Sequence, residues 1–536
     1  MVTMTAGRAV VRALIEEGID TVFGIPGAQN LEIYDGLFEY REQIQHIVTR
    51  HESGAGFMAD GFARASGKVG VSLTIGGPGL TNNATPLGQA FSDSSPLLVI
   101  STQSQADDID RDIGAHHQLL DQLGHTAGIT AWNRRIMDPA EVPRAIHDAL
   151  DHMRTQRPRP VHIEIPADVL TTAADMTFGG RSWSEPYAAS DDDIERAATM
   201  LAGARRPMLW IGGGASGTEQ IVELAESLQS AVVMTGAGKG IVPEDHPLSL
   251  GSNLRSEMMA AFIATADAVL ILGSQLAAQE TGDGQLEFPE DTIRVDVDDF
   301  AHDSLYEPQL MIRSDAADFV HRLLPRLRVQ LGDAGGITRS HYCEEISQMK
   351  SRLDAEEGLG GEAARDMIGA LRSVLPPHGL LACDMTILGY RATTAYPCAL
   401  PRTFLFPRGF GTLGWSLPAA IGARFAMPDR PVVSVCGDGG FLFTAQELAT
   451  AAMYGLSIVV LVLNNNSYGM VRRFQRMRYG DERVIATDLR NPDFVKFAES
   501  FGISARKLRD LSEVPSAVAE SLDLGGPTLL ELDVDF

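Results

Sequence analysis

An apolar run, Val432-Val433-Ser434-Val435-Cys436, stops at Gly437-Asp438-Gly439-Gly440-Phe441. Helical periodicity follows over Ala445–Tyr454, and a second apolar run, Ile458–Leu463, closes on Asn464-Asn465-Asn466. A short strand, a tight turn, a helix and a second short strand make a crossover unit, and such units build parallel sheets with helices on both faces. The alternation recurs upstream. Thr5–Glu17 and Leu31–Tyr40 have helical periodicity, while Thr21–Phe23, Gly70–Ile75 and Leu97–Ser101 read as strands. The expected class is therefore α/β, with doubly wound parallel sheets.

A chain of 536 residues is too long for one core. At roughly 100–200 residues per domain, three domains are expected. Two stretches read as linkers. From Leu170 to Ser190 apolar periodicity is lost, and Ser190-Asp191-Asp192-Asp193 then reads as a helix start. Gly332–Gly336 is rich in glycine. The domains are accordingly expected over residues 1–170, 190–330 and 345–536.

The charge excludes some partners. With 44 Lys and Arg against 70 Asp and Glu, the net charge of −26 repels nucleic acid and anionic membrane surfaces. Cys343, Cys383, Cys398 and Cys436 lack metal-ligand spacing and read as reduced thiols of a cytoplasmic protein. No signal peptide is legible, and the apolar run at Ile458–Leu463 is far short of a membrane span.

Ligands of open α/β sheets bind outside the carboxyl ends of strands. At Asp438 two strands end in polar loops there. Glycines let main-chain N–H groups approach a phosphate, and Asp438 and Asn465 offer hard oxygen ligands suited to Mg²⁺. A plain turn explains Gly-Asp-Gly equally well when it is taken alone. Asn465 lies 465 − 438 = 27 residues beyond Asp438, and this spacing resembles the thiamine-diphosphate fold motif. The resemblance implies that Asp438, Asn465 and the main-chain carbonyl of Ser467 bind the metal. It implies main-chain contacts to the diphosphate from Gly439 and Gly440, and cofactor contacts from Gly437, Asp438, Asn465, Ser467, Tyr468 and Gly469.

Thiamine chemistry also needs a carboxyl group that exchanges a proton with the aminopyrimidine ring. Glu52 follows the short apolar strand Ile47-Val48, where a helix of small residues begins. In isolation it is an ordinary first-turn glutamate favoured by the helix dipole. Its surroundings, His51-Glu52-x-x-Ala55-x-x-Met58-Ala59-Asp60-Gly61-x-Ala63-Arg64, resemble the glutamate helix of this superfamily. Phe23-Gly24-Ile25-Pro26-Gly27 upstream and Gly76-Gly77-Pro78-Gly79-Leu80-Thr81-Asn82 downstream resemble two further loops of the family. Gly409–Gly422 resembles the loop that bends the cofactor over one bulky apolar side chain, here Leu413, with the main chains of Gly411 and Leu413 on the pyrimidine edge.

The chain thus resembles the branch containing acetohydroxyacid synthase, benzaldehyde lyase and 2-oxo-acid decarboxylases. That implies the domain order pyrimidine-binding, central, diphosphate-binding. It also implies active sites shared by two subunits, with a dimer as the minimum unit and a tetramer common. In the central domain, Gly212, Gly214 and Gly217 satisfy a dinucleotide pattern after the strand Pro207–Ile211. The next apparent strand, Ala231–Met234, runs into Thr235-Gly236 and offers no acidic residue for a ribose, so a tight turn is the favoured reading. FAD stays an open alternative.

The substrate is less legible. Leu272–Asp283 matches the stretch where acetohydroxyacid synthases hold a second oxo acid with arginine, and it has none. Gln29 stands where several relatives carry a histidine facing the cofactor, and Gln118 where they present a glutamine; both are catalytic candidates. His116-His117 reads equally as surface. Asp107, Asp108, Asp110 and Asp112, with Arg111-Asp112-Ile113-Gly114, resemble decarboxylases of basic 2-oxo acids such as 5-guanidino-2-oxopentanoate; a solvated charged loop is the plainer alternative. The favoured function is thiamine-diphosphate- and Mg-dependent decarboxylation of a 2-oxo acid. Carboligation of the acetolactate synthase or benzaldehyde lyase type is the second reading, and a catalytically silent cofactor-binding protein the remote third.

Overall fold

The computed structural model describes residues 1–179, 182–298, 305–332 and 339–536. Parts of both linker readings, residues 180–181 and 333–336, lie outside these. The chain forms two compact units: Met1–Ser184 with Leu380–Thr386 and Leu405–Asp535, and Glu185–Gly379 with Ile387–Phe404.

The first unit holds two parallel sheets. One runs in the order Gln45–Val48, Thr21–Gly24, Gly70–Thr74, Leu97–Gln103, Val161–Pro166, Trp132–Arg135. The chain leaves Thr21–Gly24 for one neighbour and crosses back to Gly70–Thr74 on its other side. This reversal opens a crevice at the carboxyl ends of those two strands. In the other, five of six strands lie parallel in the order Leu380–Cys383, Val432–Gly437, Ile458–Asn464, Thr528–Asp533, Ser504–Leu508.

The two halves of this unit share one apolar cluster, in which Phe23, Met58 and Leu80 pack with Trp415, Ile421 and Val460. Its seam is the pair of helices Glu52–Ser66 and Ser416–Ala426. Small residues there let main chains touch. A Cβ on Gly61 would fall 2.1 Å from the Ala419 carbonyl oxygen, and one on Gly422 would fall 1.8 Å from that of Met58.

The second unit holds a parallel sheet ordered Ala231–Met234, Pro207–Ile211, Ala268–Leu272, Thr292–Asp296, Leu310–Arg313. The helix at Asp191–Gly203 is capped by the Ser190 hydroxyl, which accepts the Asp193 N–H at 3.1 Å. The three larger sheets of the described residues are parallel, as the alternation of elements requires.

Two local details differ from the expected pattern. The stretch after Leu170 carries a strand, Ala173–Met176, paired antiparallel with Val2–Thr5. The helix expected over Ala445–Tyr454 is a 3₁₀ turn, Ala445–Glu447, leading into Leu448–Met453, and a separate helical turn already forms at Asp438–Phe441.

Candidate active site

Glu52 is the first residue of its helix, after the extended His51. The His51 ring accepts the Ser53 main-chain N–H at 3.2 Å, satisfying one of the donors a helix start leaves unpaired. The Glu52 side chain turns toward the loop that follows Gly70–Thr74. Its Oε2 accepts the Asn82 amide at 2.9 Å, and a Cβ on Gly79 would lie 3.5 Å from Oε1. The glutamate helix and the Gly-Pro-Gly-x-x-Asn segment, matched separately in the sequence, therefore meet at one carboxylate.

Thr102 joins the next strand ends. Its hydroxyl accepts the Gly76 N–H at 2.9 Å and lies 3.3 Å from Gln29 Oε1. The Gln29 amide also donates to the His116 carbonyl at 3.3 Å. Gly77, at φ +55°, has the His117 carbonyl where a Cβ would be, 2.2 Å away. The His116–His117 main chain thus closes over Gln29 and Gly77. Gln118 turns back onto its own loop, accepting the Ala115 N–H at 2.9 Å and donating to the Arg111 carbonyl.

A buried set that sequence reasoning missed supports this loop. Gln122 Oε1 accepts the Gly77 N–H at 2.6 Å, and its amide donates to the Thr102 carbonyl at 2.9 Å and to Glu164 at 2.8 Å. Glu164 is in turn ion-paired with Arg135.

In the second sheet, Asp438 caps the strand Val432–Gly437 and is 2% exposed. Its carboxylate accepts the Ser467 N–H at 3.1 Å and the Asn491 amide at 2.7 Å. Burial raises its pKa, and the bonds from Asn491 and Ser467 oppose that rise. Asn491 also reaches Asn464 at 3.1 Å and Asn466 at 3.3 Å, tying the two strand ends together. Asn465 donates to Asp535 at 3.3 Å. Ser467 Oγ is buried and has no partner among the described residues. A Cβ on Gly439 would fall 2.6 Å from the Tyr468 ring, and one on Gly440 would fall 2.9 Å from Asp384 Oδ2. A buried carboxylate with no ion pair among the described residues, next to an orphaned hydroxyl, suits a hard divalent ion.

The loop bearing Leu413 is held from both sides. Thr412 donates its N–H and hydroxyl to Gln89 Oε1 at 3.2 and 3.0 Å, and Gly414 N–H donates to Asp384 at 2.9 Å. Gly411 and Gly414 take φ values of +73° and +74°, which only glycine adopts without strain. Asp384 is buried and its carboxyl is pushed up to about 6 by burial, against bonds from Met385, Gly414 and Trp415. Leu413 stays half-buried between these anchors. Farther along, Trp415 Nε1 donates to Asp60 on the glutamate helix at 2.7 Å.

A second carboxylate meets the glutamate helix. Glu447 is fully buried and accepts the N–H groups of Arg50 and His51, both at 3.1 Å, and the Thr450 hydroxyl at 2.7 Å. Burial pushes its carboxyl up to about 7. Among the described residues no hydrogen bond or ion pair joins the Glu52 cluster to the Asp438 cluster.

The dinucleotide-like glycines of the central sheet have a different neighbour. Gly214 N–H donates to the Gly273 carbonyl at 3.0 Å, and a Cβ on Gly212 would fall 2.1 Å from that same oxygen. Main chain of the adjacent strand end occupies the space that Gly212 and Gly214 leave, whereas a Cβ on Gly217 would meet nothing within 4 Å.

Three family models match the chain in order. They are the N-terminal binding domain of thiamine pyrophosphate enzymes over residues 4–125, their central domain over 194–323, and their C-terminal binding domain over 385–532. The chain is 38% identical over 539 residues to a Pseudomonas aeruginosa protein named "Probable 2-ketoarginine decarboxylase", covering 99% of this chain and 94% of the relative. It is 32% identical over 554 residues to a "Probable acetolactate synthase large subunit" of Methanocaldococcus jannaschii, covering 99% and 92%. Against the large subunit of acetolactate synthase isozyme 1 of Escherichia coli the identity is 31% over 542 residues, covering 99% and 94%.

Proposed function

The chain belongs to the thiamine pyrophosphate enzymes, and from that premise we propose that it decarboxylates a 2-oxo acid with a basic side chain, of the 5-guanidino-2-oxopentanoate kind. The observation that carries this reading is the course of the acidic segment. Asp107–Asp112 runs directly into His116-His117, whose main chain touches Gln29 and Gly77. Asp108 lies 3.6 Å from Arg111 and Asp110 lies 4.0 Å from Arg135. Asp107 and Asp112 are exposed and make no ion pair among the described residues. Carboxylates so placed suit a guanidinium, which they hold through paired hydrogen bonds. The name of the Pseudomonas relative points the same way.

When bound, thiamine diphosphate supplies the electron sink that lets the bond to carbon dioxide break. Asp438, Asn465 and the Ser467 carbonyl would hold Mg²⁺, the family's usual partner metal, and with it the diphosphate. Gly437, Gly439, Gly440, Tyr468 and Gly469 would line the phosphates, and Gly411 and Leu413 the pyrimidine. Glu52 would hold the proton exchanged with the pyrimidine ring. Asn82 fixes Oε2, which leaves Oε1 for that exchange. Gln29, held by Thr102 and the His116 carbonyl, would orient the substrate. Gln118 would do so after its amide leaves its own loop.

The reading includes a dimer in which Glu52 of one copy meets Asp438 of the other; a tetramer built from such dimers fits equally. Support comes from apolar side chains left in water beside the site: Phe410 is 52% exposed and Phe443 55%. The central domain is read as free of FAD, because Gly212 and Gly214 pack on the main chain of Gly273. No helix among the described residues is long and apolar enough to cross a membrane. With four free cysteines, the cytoplasm is the proposed location.

The acetolactate synthase relatives favour a second reading, addition of the decarboxylated fragment to another carbonyl compound. One experiment separates the two. Carbon dioxide release is measured across a panel of 2-oxo acids, with and without an aldehyde acceptor. Release should be fastest with 5-guanidino-2-oxopentanoate and independent of the acceptor. Release only with acceptor, or a preference for pyruvate, would overturn the decarboxylase reading.

A further inference from the structure

The second unit contains a cleft of about 190 Å³ whose wall carries three cations, Lys350, Arg365 and Arg391, together with Glu244 and Asp354. Among the described residues none of the three cations lies within ion-pair distance of a carboxylate. Glu244 is already committed: it takes the Lys239 ammonium at 2.6 Å and the Cys398 N–H at 3.3 Å. Lys350 donates to the main-chain carbonyls of Glu244 and His246 at 2.7 and 2.9 Å, which fix its ammonium, and Asp354, Asp245 and Glu244 attract it from farther off.

Arg391 is the sharpest case. It is 8% exposed, and its Nη2 donates to the Glu356 carbonyl at 3.1 Å. Its buried Nε–H has no partner among the described residues. The Glu356 carboxylate nearby is occupied by Asn253 and Ser256 at 2.8 and 2.9 Å. Burial, then repulsion from Arg365, lowers the Arg391 pKa, with Glu356 opposing. A Cβ on Gly358 would fall 1.8 Å from Arg391 Nη1, so the chain gives up a side chain to seat this guanidinium.

A guanidinium buried beside a second one is costly unless an anion joins them, and arginine is well suited to planar oxyanions. A void of 150 Å³ holds benzene, so about 190 Å³ admits a phosphate or a small carboxylic acid. The chain as a whole carries −26 and repels anions, so this grouping of three cations is a local feature. We propose that this cleft binds a small oxyanion, a phosphate or carboxylate group held by Lys350, Arg365 and Arg391. None of its lining residues belongs to the unit that carries Glu52 and Asp438.

The test uses protein saturated with thiamine diphosphate and Mg²⁺, so that the diphosphate site is filled. It is titrated calorimetrically with inorganic phosphate and, separately, with succinate at constant ionic strength. One saturable site per chain is expected for at least one of them. Binding should weaken at least tenfold in Arg365→Gln, an exposed position that leaves folding undisturbed, and in Arg391→Lys. Phosphate alone would assign the cleft to phosphate esters, and succinate alone to carboxylic acids. No saturable binding of either, or binding that both substitutions leave unchanged, would overturn the proposal.

Discussion

Arg64 offers the sharpest test of how the glutamate helix and the Leu413 loop are held together. Its guanidinium lies 2.8 Å from Asp60 and 2.9 Å from Asp93, and all three are shielded from water. Asp60 also takes the Trp415 indole N–H at 2.7 Å, and Asp93 takes the Gly409 N–H at 2.6 Å. One cation thus serves two carboxylates, and each carboxylate anchors one end of the loop. Arg64→Met keeps most of the packing volume but strands both charges. Breaking a buried pair by removing one partner costs about 3–5 kcal/mol. Burial already raises the Asp93 pKa, with Arg64 opposing. Without Arg64 the Asp93 carboxyl rises further above its unfolded value. Stability is then retained at low pH and lost as pH climbs through the raised Asp93 value, so the penalty should be larger at pH 7.5 than at pH 5. The measurement is the urea midpoint at both pH values, followed by near-UV circular dichroism, with Arg64→Met/Asp93→Asn as the rescue. Affinity for thiamine diphosphate should fall with stability, because Gly409–Trp415 loses both anchors. A loss under about 1 kcal/mol at pH 7.5, or a loss independent of pH, would refute the argument.

Three further outcomes are expected. Glu447→Gln removes a group whose carboxyl is pushed up to about 7 from the usual 4.5, so its contribution is present below 4.5 and lost as pH rises through 7. At 1.36 kcal/mol per unit that is roughly 3 kcal/mol. Urea midpoints should therefore fall less between pH 5 and pH 8 in the variant than in the parent, and parallel curves would contradict the assignment. Asp438→Ala should abolish tight binding of thiamine diphosphate with Mg²⁺ in a calorimetric titration while the far-UV spectrum is retained; unchanged affinity would remove Asp438 from the metal site. Glu52→Gln should leave that affinity nearly intact and slow hydrogen–deuterium exchange at the reactive cofactor carbon by about 10²–10⁴-fold, the range of general acid–base catalysis. Exchange at the parent's rate would reduce Glu52 to a helix-start residue.

The strongest sequence signals were contiguous ones. Parallel sheets followed from short apolar strands alternating with helices. Glu52, Asn82, Asp438 and Asn465 lay in motifs whose order and spacing were readable. What escaped was long-range polar pairing. Gln122 reaches Gly77 and Glu164, Glu447 reaches Arg50 and His51, and Asn491 reaches Asp438; each pairs residues from distant elements. A local pattern does not encode such a partner, because a lone glutamate in a helix reads as surface until the other sheet is packed against it. The glycines make the same point from the opposite side. Gly212-Gly213-Gly214 and Gly437-Asp438-Gly439-Gly440 both follow apolar strands, and both announce that a Cβ would not fit. In the central sheet the occupants are the main chain of Gly273, opposite Gly212 and Gly214, and the Ala237 side chain, opposite Gly213; at Asp438 they are the Tyr468 ring and the Asp384 carboxylate. A glycine motif reports the need for space, and only the atoms opposite decide whether a ligand or the protein fills it. The spacing to Asn465 was informative for that reason: it reported on the facing strand end, which the turn alone does not.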